Sequence, residues 1–591
     1  MDIFGIHLNA KHIMWSIIIL QCLCFLFLFF FVKREFHSDE VWTFGLANSK
    51  ESPHIYMDID KNPINMREWK SAEIFKDYLT VGEDERFDFS IPYKNSLKDT
   101  PPVILFYMHF ISSIFPGKFS FAFFIPLVLF CIIVSGYCLY NLLIYGGLTE
   151  KTALLTLFFF GFSSGGIDVF IYLRHYSLLV TECLILLYLH MMIYKFNRLS
   201  VKTCIGIIIC NILGVMTHHY YWIFAFLLGC YFVIYMMIKR KWREILIYSM
   251  SMLIGVGIGY AVYPSLFSSF AMWNDEVFEK GFSFSLQLII SLRIVLMQLI
   301  GIGPSIYKIG ILQSIGICII YLCIVFLPLI ILLAKNGKLL PKIKIIIEKL
   351  TAFKNAFVQD IRKSLFLFGI CLIEVVTAIV IVSKSINIYA MMVSANRYLF
   401  YIYPIAAIII MILVHALFTI VIGKKKGKIV MVFLIVLGMV LSHIRMPSIY
   451  VGQELKDGIT VDKINNSNII IVLNSDWYLT ILTHVISYDN RIIALKSTEL
   501  DDYKDIIEHV DKNKPTYLLL AHGAFNDKKI DENNNLSSPV NIYDYASTKT
   551  KLPTSNEIRD FFTNLEFCNS YDEIGAEGMI NFSYSLYKLA D

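Results

Sequence analysis

The stretch that decides the fold is IMWSIIILQCLCFLFLFFFV at residues 13–32, and KREFHSDEVW follows directly at residues 33–42. The first stretch is predominantly apolar and has the length that a helix needs to cross a bilayer, about 20 residues. Two adjacent carboxylates, Asp39 and Glu40, stand just beyond its end. A carboxylate pair at a membrane surface contributes little to packing, so it suggests chemistry on a molecule that is held in the membrane.

The whole chain has the composition of a membrane protein with many spans. It has 591 residues, of which 57% are hydrophobic and 17% are charged, and its net charge is +5. Soluble proteins carry about 25% charged residues, and repeated long apolar runs indicate membrane helices. The small positive excess is clustered locally, which favours a role in topology over nucleic-acid binding. Most of the 12 cysteines lie in apolar segments, so neither a disulfide framework nor a cysteine-rich metal site is expected.

Thirteen apolar runs are candidates for membrane helices. They lie near residues 13–32, 101–115, 119–145, 152–172, 176–194, 203–217, 219–238, 246–268, 284–303, 306–334, 364–384, 398–422 and 428–446. Basic residues concentrate on the cytoplasmic side of membrane proteins, and this tendency is satisfied when 101–115 and 284–303 do not cross. We therefore expect an α-helical polytopic membrane protein with 11–13 membrane helices, a cytoplasmic N-terminus and an extracytoplasmic C-terminus.

The same topology places four polar clusters together at the outer face of the membrane. These clusters are His37–Glu40, Arg174-His175-Tyr176, Thr217-His218-His219-Tyr220-Tyr221 and Asn396-Arg397-Tyr398. Ionisable groups at membrane depth are costly and are usually functional. Their common side predicts a single site at the outer leaflet.

Two domains are expected. Residues 1–446 form a membrane-embedded domain whose first extracytoplasmic loop, 33–100, contains membrane-surface helices such as the amphipathic segment Met66–Leu79. Residues 447–591 form a small extracytoplasmic α/β domain. Its predicted elements are strands at Asn468–Leu473, Arg491–Leu495 and Tyr517–Ala521 and a helix at Trp477–Ser487. This alternation predicts a partly parallel sheet, and no glycine-rich nucleotide motif accompanies it.

Several of these segments resemble the GT-C class of membrane glycosyltransferases, and most of all the protein O-mannosyltransferase and aminoarabinose-transferase group. The matching segments are Phe36–Asn48, Asp99-Thr100-Pro101-Pro102, Leu173-Arg174-His175-Tyr176, Thr217-His218-His219-Tyr220 and Asn396-Arg397-Tyr398 before Pro404. The resemblance covers roughly residues 10–446. Two positions depart from it, since His175 lies inside the Arg–Tyr motif and Thr100 stands where related bacterial sequences often have histidine.

The resemblance implies an enzyme that transfers a hexose or pentose from a dolichyl- or undecaprenyl-phosphate donor. The acceptor would be an extracytoplasmic glycan, a lipid or a protein hydroxyl, and a single displacement would invert the sugar carbon. A bacterial plasma membrane is the expected location, and membrane lipids are the expected surroundings. No cofactor is expected, and no nucleic acid.

Such a transfer assigns a role to each candidate residue. A carboxylate can take the acceptor proton where its surroundings tune its proton affinity, and the resemblance gives that role to Asp39, with Glu40 as a tuning or orienting group. Guanidinium groups bind phosphate bidentately, so Arg174 and Arg397 are candidates for the donor phosphate. The candidates for hydrogen bonds to the phosphate or sugar are Tyr176, His218, His219 and Tyr398, and the remaining candidates are His37 and Asp99.

Other interpretations fit the same residues. The acidic pair also suits a solvated helix end, and Arg174 and Arg397 also suit interfacial anchors that extend to the lipid headgroups. The pair His218 and His219 also suits a purely structural helix end. His37 with the acidic pair also resembles a divalent metal site, although the mannosyltransferase-like group is expected to work without one.

Two further function classes are compatible with the sequence. One is a transporter or flippase of lipid-linked saccharide, for which the mid-span residues Glu182 and Glu374 would be candidates. The other is a non-catalytic membrane assembly protein that uses the C-terminal domain to bind a partner.

Overall fold

The structure is a computed structural model, and most of its elements are helical. It describes residues 2–3, 6–7, 9–50, 55, 68–98, 100–265, 284–301, 364–385, 392–422, 424–451, 455–473, 478–525, 552–565, 568, 570–579 and 582–590. The α-helices are α1 (Ala10–Phe27), α2 (Ser38–Asn48), α3 (Glu73–Leu79), α4 (Ser90–Ser96), α5 (Pro102–Ile114), α6 (Ile125–Tyr145), α7 (Glu150–Phe162), α8 (Ser164–Ile171), α9 (Tyr176–Phe196), α10 (Val201–Val215), α11 (His219–Ile238), α12 (Trp242–Val262), α13 (Phe284–Ile300), α14 (Leu365–Ser385), α15 (Tyr403–Ile422), α16 (Lys424–Arg445), α17 (Leu479–Leu482), α18 (Lys504–Ile507) and α19 (Ser555–Thr563).

The strands and the tighter helical turns complete the described elements. The strands are β1 (Asp2–Ile3), β2 (Ile6–His7), β3 (Lys70–Ser71), β4 (Leu455–Gly458), β5 (Asn468–Leu473), β6 (Arg491–Lys496), β7 (Thr516–Ala521), β8 (Ser570–Met579) and β9 (Phe582–Ala590). A π-helical turn lies at Leu28–Val32, and 3₁₀ turns lie at Glu83–Glu85, Phe121–Phe124, Met392–Ile402, Ile449–Val451, Val461–Lys463, Asp501–Tyr503 and His522–Ala524.

Seven helices among the described residues are long and apolar enough to cross a membrane. They are Ala10–Val32, Phe121–Tyr145, Tyr176–Phe196, His219–Ile238, Trp242–Val262, Leu365–Ser385 and Ala395–His415. The pair α7 and α8 is a further candidate, broken by a bend of 62°. The protein is therefore an integral membrane protein of the polytopic helical type.

Four apolar helices are shorter than the seven candidate spans. They are Pro102–Ile114, Val201–Val215, Gln287–Ile300 and Ile429–Arg445. A helix of this length rises about 20–25 Å, less than the hydrocarbon core of about 30 Å. Two of these short helices come from the runs at 101–115 and 284–303, which are expected not to cross, but the other two come from the runs at 203–217 and 428–446, which are expected to cross. Which runs cross therefore stays a prediction. The run at 306–334 lies outside the described residues, so the total of 11–13 helices stays a prediction.

The chain divides into two compact units, each built from separated stretches. The first, here called the membrane unit, comprises Met1–Phe27, Pro126–Ile171 and His175–Ile449. The second, here called the sheet unit, comprises Leu28–Ile125, Tyr172–Arg174 and Tyr450–Asp591. The domain boundary at residue 446 stays a prediction.

Small residues let helices of the membrane unit approach closely. A Cβ atom at Gly136 would lie 2.8 Å from the side chain of Ile18, and one at Gly161 would overlap the amide of Gln21. The Gln21 amide uses this proximity, since its Nε2 donates to the carbonyl of Leu157 at 3.2 Å. Close backbone approach and interhelical hydrogen bonds are the main forces that join helices in a bilayer. They fix α1 against α6 and α7.

The sheet unit contains a seven-stranded sheet in the order β3-β6-β5-β7-β9-β8-β4. Strand β5 pairs in parallel with β6 on one side and β7 on the other, and every residue of β5 is buried. Continuous burial is typical of a central parallel strand. The three predicted strands and the partly parallel sheet are therefore confirmed.

The helix predicted at Trp477–Ser487 is much shorter in the structure. Only α17 is helical there, and the hydroxyl of Thr483 donates to the carbonyl of Thr480 at 2.7 Å just beyond it. Threonine side chains compete in this way for the carbonyls that a longer helix would use. The residues before Tyr478 at this site lie outside the described part of the chain.

The first loop contributes directly to the sheet unit. Strand β3 pairs antiparallel with β6, and the indole of Trp69 donates to the carbonyl of Ile506 at 2.8 Å. In the amphipathic segment Met66–Leu79, the described helix is α3, and its side chains Phe75 and Tyr78 are buried. A location along the membrane surface stays a prediction for this loop.

Polar side chains fasten α2 to its neighbours in the sheet unit. The amide of Asn48 donates to the carbonyl of Leu79 at 2.7 Å and to the hydroxyl of Ser112 at 3.1 Å. Gly45 allows close contact as well, because a Cβ there would lie 1.9 Å from the ring of Tyr78. The helix that carries the acidic pair is therefore held rigidly at its far end.

Candidate functional site

The acidic pair lies in the first turn of α2, where a helix has backbone N–H groups without helical partners. His37 is the N-cap, and its Nδ1 accepts the backbone N–H of Asp39 at 3.1 Å. The Glu40 side chain accepts the backbone N–H of His37 at 2.6 Å, which completes a capping box. The helix dipole also stabilises negative charge at this end. The local sequence therefore explains the position of both carboxylates.

Glu40 is the buried anchor of this region. Its Oε1 lies 3.0 Å from Nζ of Lys33, and neither side chain has exposed surface. The same oxygen accepts the backbone N–H of Leu173 at 2.7 Å, and Lys33 donates to the carbonyl of Tyr450 at 2.6 Å. Burial raises the pKa of Glu40, and the Lys33 ammonium and the two backbone N–H groups oppose that rise. The pair thus joins three separate stretches of the sheet unit.

Asp39 has different surroundings, although it is adjacent to Glu40. Its side chain keeps 17% of its surface exposed. Its Oδ2 accepts the hydroxyl hydrogen bond of Tyr172 at 2.7 Å, and Nδ1 of His37 lies 3.8 Å from the same oxygen. A partly exposed carboxylate with a fixed orientation has the geometry that a general base requires.

Arg174 lies beside Asp39. Its Nη1 donates to the backbone carbonyl of Asp39 at 3.0 Å and to the hydroxyl of Thr43 at 2.7 Å. The residue is only 7% exposed, and its Nε is buried without a hydrogen-bond partner among the described residues. No described carboxylate forms an ion pair with it. We call His37, Asp39, Glu40, Lys33, Tyr172 and Arg174 the carboxylate cluster.

Sequence reasoning did not identify Lys33 or Tyr172. Lys33 follows a membrane span, where a basic residue is normally assigned to topology. Tyr172 directly precedes the predicted Leu173-Arg174-His175-Tyr176 segment, but one tyrosine among 34 carries no signal of its own. Only the contacts to Glu40 and Asp39 distinguish these two residues.

Four of the predicted aromatic and histidine residues gather in the membrane unit, namely Tyr176, His218, His219 and Tyr398. Tyr176 begins α9, and its ring centroid lies 5.3 Å from that of His218 and 6.3 Å from that of Tyr398. His218 is the N-cap of α11, and its Nδ1 accepts the backbone N–H of Tyr220 at 3.0 Å. The ring of His219 lies 5.9 Å from that of His218. We call these rings, together with Arg397, the aromatic cluster.

Arg397 joins the aromatic cluster through its neighbour Tyr398. Its guanidinium lies 5.2 Å from the centroid of the Tyr398 ring, and Nη2 lies 3.4 Å from the phenol oxygen. Both residues are 6% exposed. A cation–π contact of this kind positions a guanidinium without neutralising its charge. The cluster therefore combines the hydrogen-bond donors that suit phosphate and sugar oxygens.

A buried polar network in the membrane unit was not predicted. The carboxylate of Asp168 accepts from the amide of Gln298 at 2.6 Å and from that of Asn396 at 2.9 Å, and Tyr403 donates to Gln298. Asp168 is fully buried in α8. An aspartate inside the apolar run 152–172 was the available signal, because ionisable residues at membrane depth are rarely incidental. The network holds Asn396, the residue before Arg397.

The predicted site residues fall into two groups. His37, Asp39, Glu40 and Arg174 meet in the sheet unit, and the chain enters the membrane unit between Arg174 and His175. The group in the membrane unit comprises Tyr176, His218, His219, Arg397 and Tyr398. Asp99 lies outside the described residues. The single site at the outer leaflet stays a prediction.

Several possible metal-ligand atoms of the acidic region already have hydrogen-bond partners within the protein. Nδ1 of His37 accepts the N–H of Asp39, and the Glu40 carboxylate accepts from Lys33. Within the part of the chain that the structure describes, no three histidine, cysteine, aspartate or glutamate side chains are grouped to hold a metal ion.

The chain matches no protein-family model and no curated protein.

Proposed function

We propose that this protein is an inverting membrane glycosyltransferase of the GT-C class. Its donor is a sugar on a polyprenyl phosphate, and its acceptor is an extracytoplasmic hydroxyl of a glycan, lipid or protein. In this proposal the protein lies in a bacterial plasma membrane with its N-terminus in the cytoplasm and its C-terminus outside.

The observation that carries the proposal is the contact between Asp39 and Arg174. A buried guanidinium without a carboxylate partner is costly, and an anionic ligand would offset that cost. A partly exposed carboxylate lies next to it, which supports a reaction that needs a base and a phosphate contact together. Lys33 provides the contrast, because its charge is already neutralised by Glu40.

The proposed reaction is a single displacement. The acceptor oxygen attacks the anomeric carbon, and its proton passes to the carboxylate of Asp39. The bond between the anomeric carbon and the phosphate oxygen breaks, and its electron pair leaves with the polyprenyl phosphate. Arg174 stabilises the charge on that phosphate, an effect that commonly contributes about 3 kcal/mol.

The aromatic cluster of the membrane unit, considered by itself, also contains donors that suit phosphate and sugar oxygens. Arg397 is a candidate for the phosphate, because guanidinium geometry matches phosphate oxygens. Tyr176, Tyr398 and His218 are candidates for sugar hydroxyls. The Asp168 network would hold the Arg397 segment in place, since Asn396 is bonded to Asp168.

The test is transfer by purified protein supplied with a panel of polyprenyl-phosphate sugars. Asp39→Asn keeps the size of the side chain and removes the base, so we expect transfer to fall at least 10²-fold with donor binding retained. Asp88→Asn is the matched control, because Asp88 also lies at a helix start in the sheet unit, where its carboxylate accepts the N–H of Ser90 at 3.0 Å. Undiminished transfer by Asp39→Asn rejects the base assignment.

A transporter of lipid-linked saccharide is the second candidate, and two buried carboxyl groups favour it. Glu182 and Glu374 lie in the candidate spans α9 and α14 and are 5% and 2% exposed. Thr217 donates to Glu182 at 2.8 Å. A transporter predicts lipid translocation in vesicles that Glu182→Gln impairs and Asp39→Asn leaves intact.

A further inference from the structure

Tyr172 contacts the carboxylate of Asp39 directly. Its hydroxyl donates to Oδ2 at 2.7 Å, and the tyrosine is fully buried. Arg174 by contrast donates to the backbone carbonyl of Asp39. Tyr172 therefore acts on the group that would accept the proton, whereas Arg174 fixes the backbone beside it.

The ring of Tyr172 is held on two sides. It stacks on Tyr450 with centroids 4.1 Å apart and an interplanar angle of 25°. The ring of His37 meets it edge-on at 5.6 Å. Such packing restricts both side-chain torsions of a tyrosine, so the hydroxyl has little freedom to leave Oδ2.

The backbone that carries Tyr172 is docked on α2. The N–H of Leu173 donates to the buried carboxylate of Glu40 at 2.7 Å. Arg174, one residue further, reaches the carbonyl of Asp39 and the hydroxyl of Thr43. Three consecutive residues thus contact the first turns of α2, and the hydroxyl of Tyr172 is the contact that faces the carboxylate of Asp39.

Several ionisable groups share the surroundings of Asp39. They are Tyr172, Arg174, His37, Glu40 and Lys33. Nδ1 of His37 accepts the backbone N–H of Asp39, so this atom does not donate a hydrogen bond to the Asp39 carboxylate. The charges of Glu40 and Lys33 offset each other at 3.0 Å.

We propose that Tyr172 is a positioning residue that sets the orientation and the protonation range of Asp39. The inference rests on the proposed function for its role in transfer, but the contact itself is independent of that role. A hydrogen bond donated to the charged carboxylate favours that form over the protonated one. The hydroxyl therefore keeps Asp39 ready to accept a proton at a lower pH than it otherwise would.

Tyr172→Phe tests this role, because it removes the hydroxyl and keeps the ring stack. Transfer requires the deprotonated carboxylate, so the acidic limb of the profile of kcat/KM against pH should move upward by about one pH unit. Tyr107→Phe is the matched control, since its hydroxyl donates to the carbonyl of Phe123 at 2.8 Å elsewhere in the sheet unit. That control should leave the limb in place.

A second measurement does not depend on transfer. Carbodiimides modify protonated carboxyl groups, so mass spectrometry can follow labelling of Asp39 against pH, with fragment ions that separate it from buried Glu40. The labelling midpoint should rise in Tyr172→Phe. Replacing Tyr172 with 3-fluorotyrosine keeps the ring and makes the hydroxyl a stronger hydrogen-bond donor, so the labelling midpoint of Asp39 should fall. This replacement also provides the test if Tyr172→Phe does not fold.

The outcomes separate the two proposals. Opposite shifts with the two replacements support the role of Tyr172. The role of Tyr172 is overturned if both replacements leave the labelling midpoint within about 0.2 pH units of the wild type. That margin is well below the expected shift of about one pH unit. If no donor in the panel supports wild-type transfer but the midpoints shift, the glycosyltransferase proposal fails and the Tyr172 contact stands.

Discussion

Lys33→Met tests whether the ion pair with Glu40 holds the carboxylate cluster together. Nζ of Lys33 lies 3.0 Å from Oε1 of Glu40, and neither side chain has exposed surface. Methionine fills a similar volume, so the change removes the charge and the hydrogen bonds to Glu40 and to the carbonyl of Tyr450. Removing one partner of a buried pair costs about 3–5 kcal/mol, because the other charge is left without compensation.

Glu40→Gln is the compensating substitution. Glutamine removes the charge but keeps an acceptor for the N–H groups of His37 and Leu173. We therefore expect the double variant to be more stable than Lys33→Met alone, so the two effects should not add. Burial already raises the pKa of Glu40, so protonation favours the folded state. The stability that Lys33→Met loses relative to the wild type should therefore become smaller as the pH falls towards 4.5, the ordinary pKa of a glutamate.

The assay is thermal unfolding of the purified protein in detergent. A loss of 1 kcal/mol lowers Tm by about 2–4 °C in a domain of this size class, so Lys33→Met should lower it by about 6–20 °C. Lys496→Met is the control in the same unit, because its pairing with Glu499 at 3.9 Å is partly exposed and contributes at most about 1 kcal/mol. The reasoning is refuted if Lys33→Met and Lys496→Met lower Tm equally. It is also refuted if the loss of stability in the double variant equals the sum of the losses in Lys33→Met and Glu40→Gln.

Three further predictions concern single residues. Arg174→Lys cannot keep both hydrogen bonds of Nη1 and a bidentate phosphate contact, so kcat/KM for transfer should fall about 10²-fold in the donor panel assay. Gly45→Ala places a Cβ 1.9 Å from the Tyr78 ring and should cost about 1–3 kcal/mol in thermal unfolding, whereas Gly257→Ala, with no atom within 4 Å, should not. Thr554→Ala removes the N-cap of α19 and should cost about 1 kcal/mol by the same measurement.

The sequence predicted those parts of the fold that depend on local patterns. Continuous apolar runs identified the seven candidate spans among the described residues, and the run at Asn468–Leu473 identified the central strand. Strand β8 was missed because Ser570–Met579 is rich in glycine and acidic residues, which are depleted in strands. Strand β3 was missed because two residues carry no pattern, and only their pairing with the distant β6 makes them a strand.

The part of the candidate site that could be predicted is the part that follows from the predicted membrane topology. The charge pattern predicts Asp39 and Arg174 on one side of the membrane, which stays a prediction, and the structure brings the two residues within hydrogen-bond distance. Topology says nothing about which side chains neutralise each other, so no feature of the sequence identified Lys33 as the partner of Glu40. Asp168 was not predicted, because the polar clusters used to predict the site lie at helix ends and Asp168 lies within an apolar helix.

Helix geometry explains why the adjacent carboxylates of Asp39 and Glu40 have different roles. Consecutive helical residues point about 100° apart, so Asp39 and Glu40 cannot share one environment. Glu40 points inward, where Lys33 and the N–H of Leu173 engage its oxygens and no surface is exposed. Asp39 points towards Tyr172 and keeps 17% of its surface exposed. Since a base must reach its acceptor, the reactive role belongs to Asp39, and the charge of Glu40 is committed to holding the segment that carries Tyr172 and Arg174.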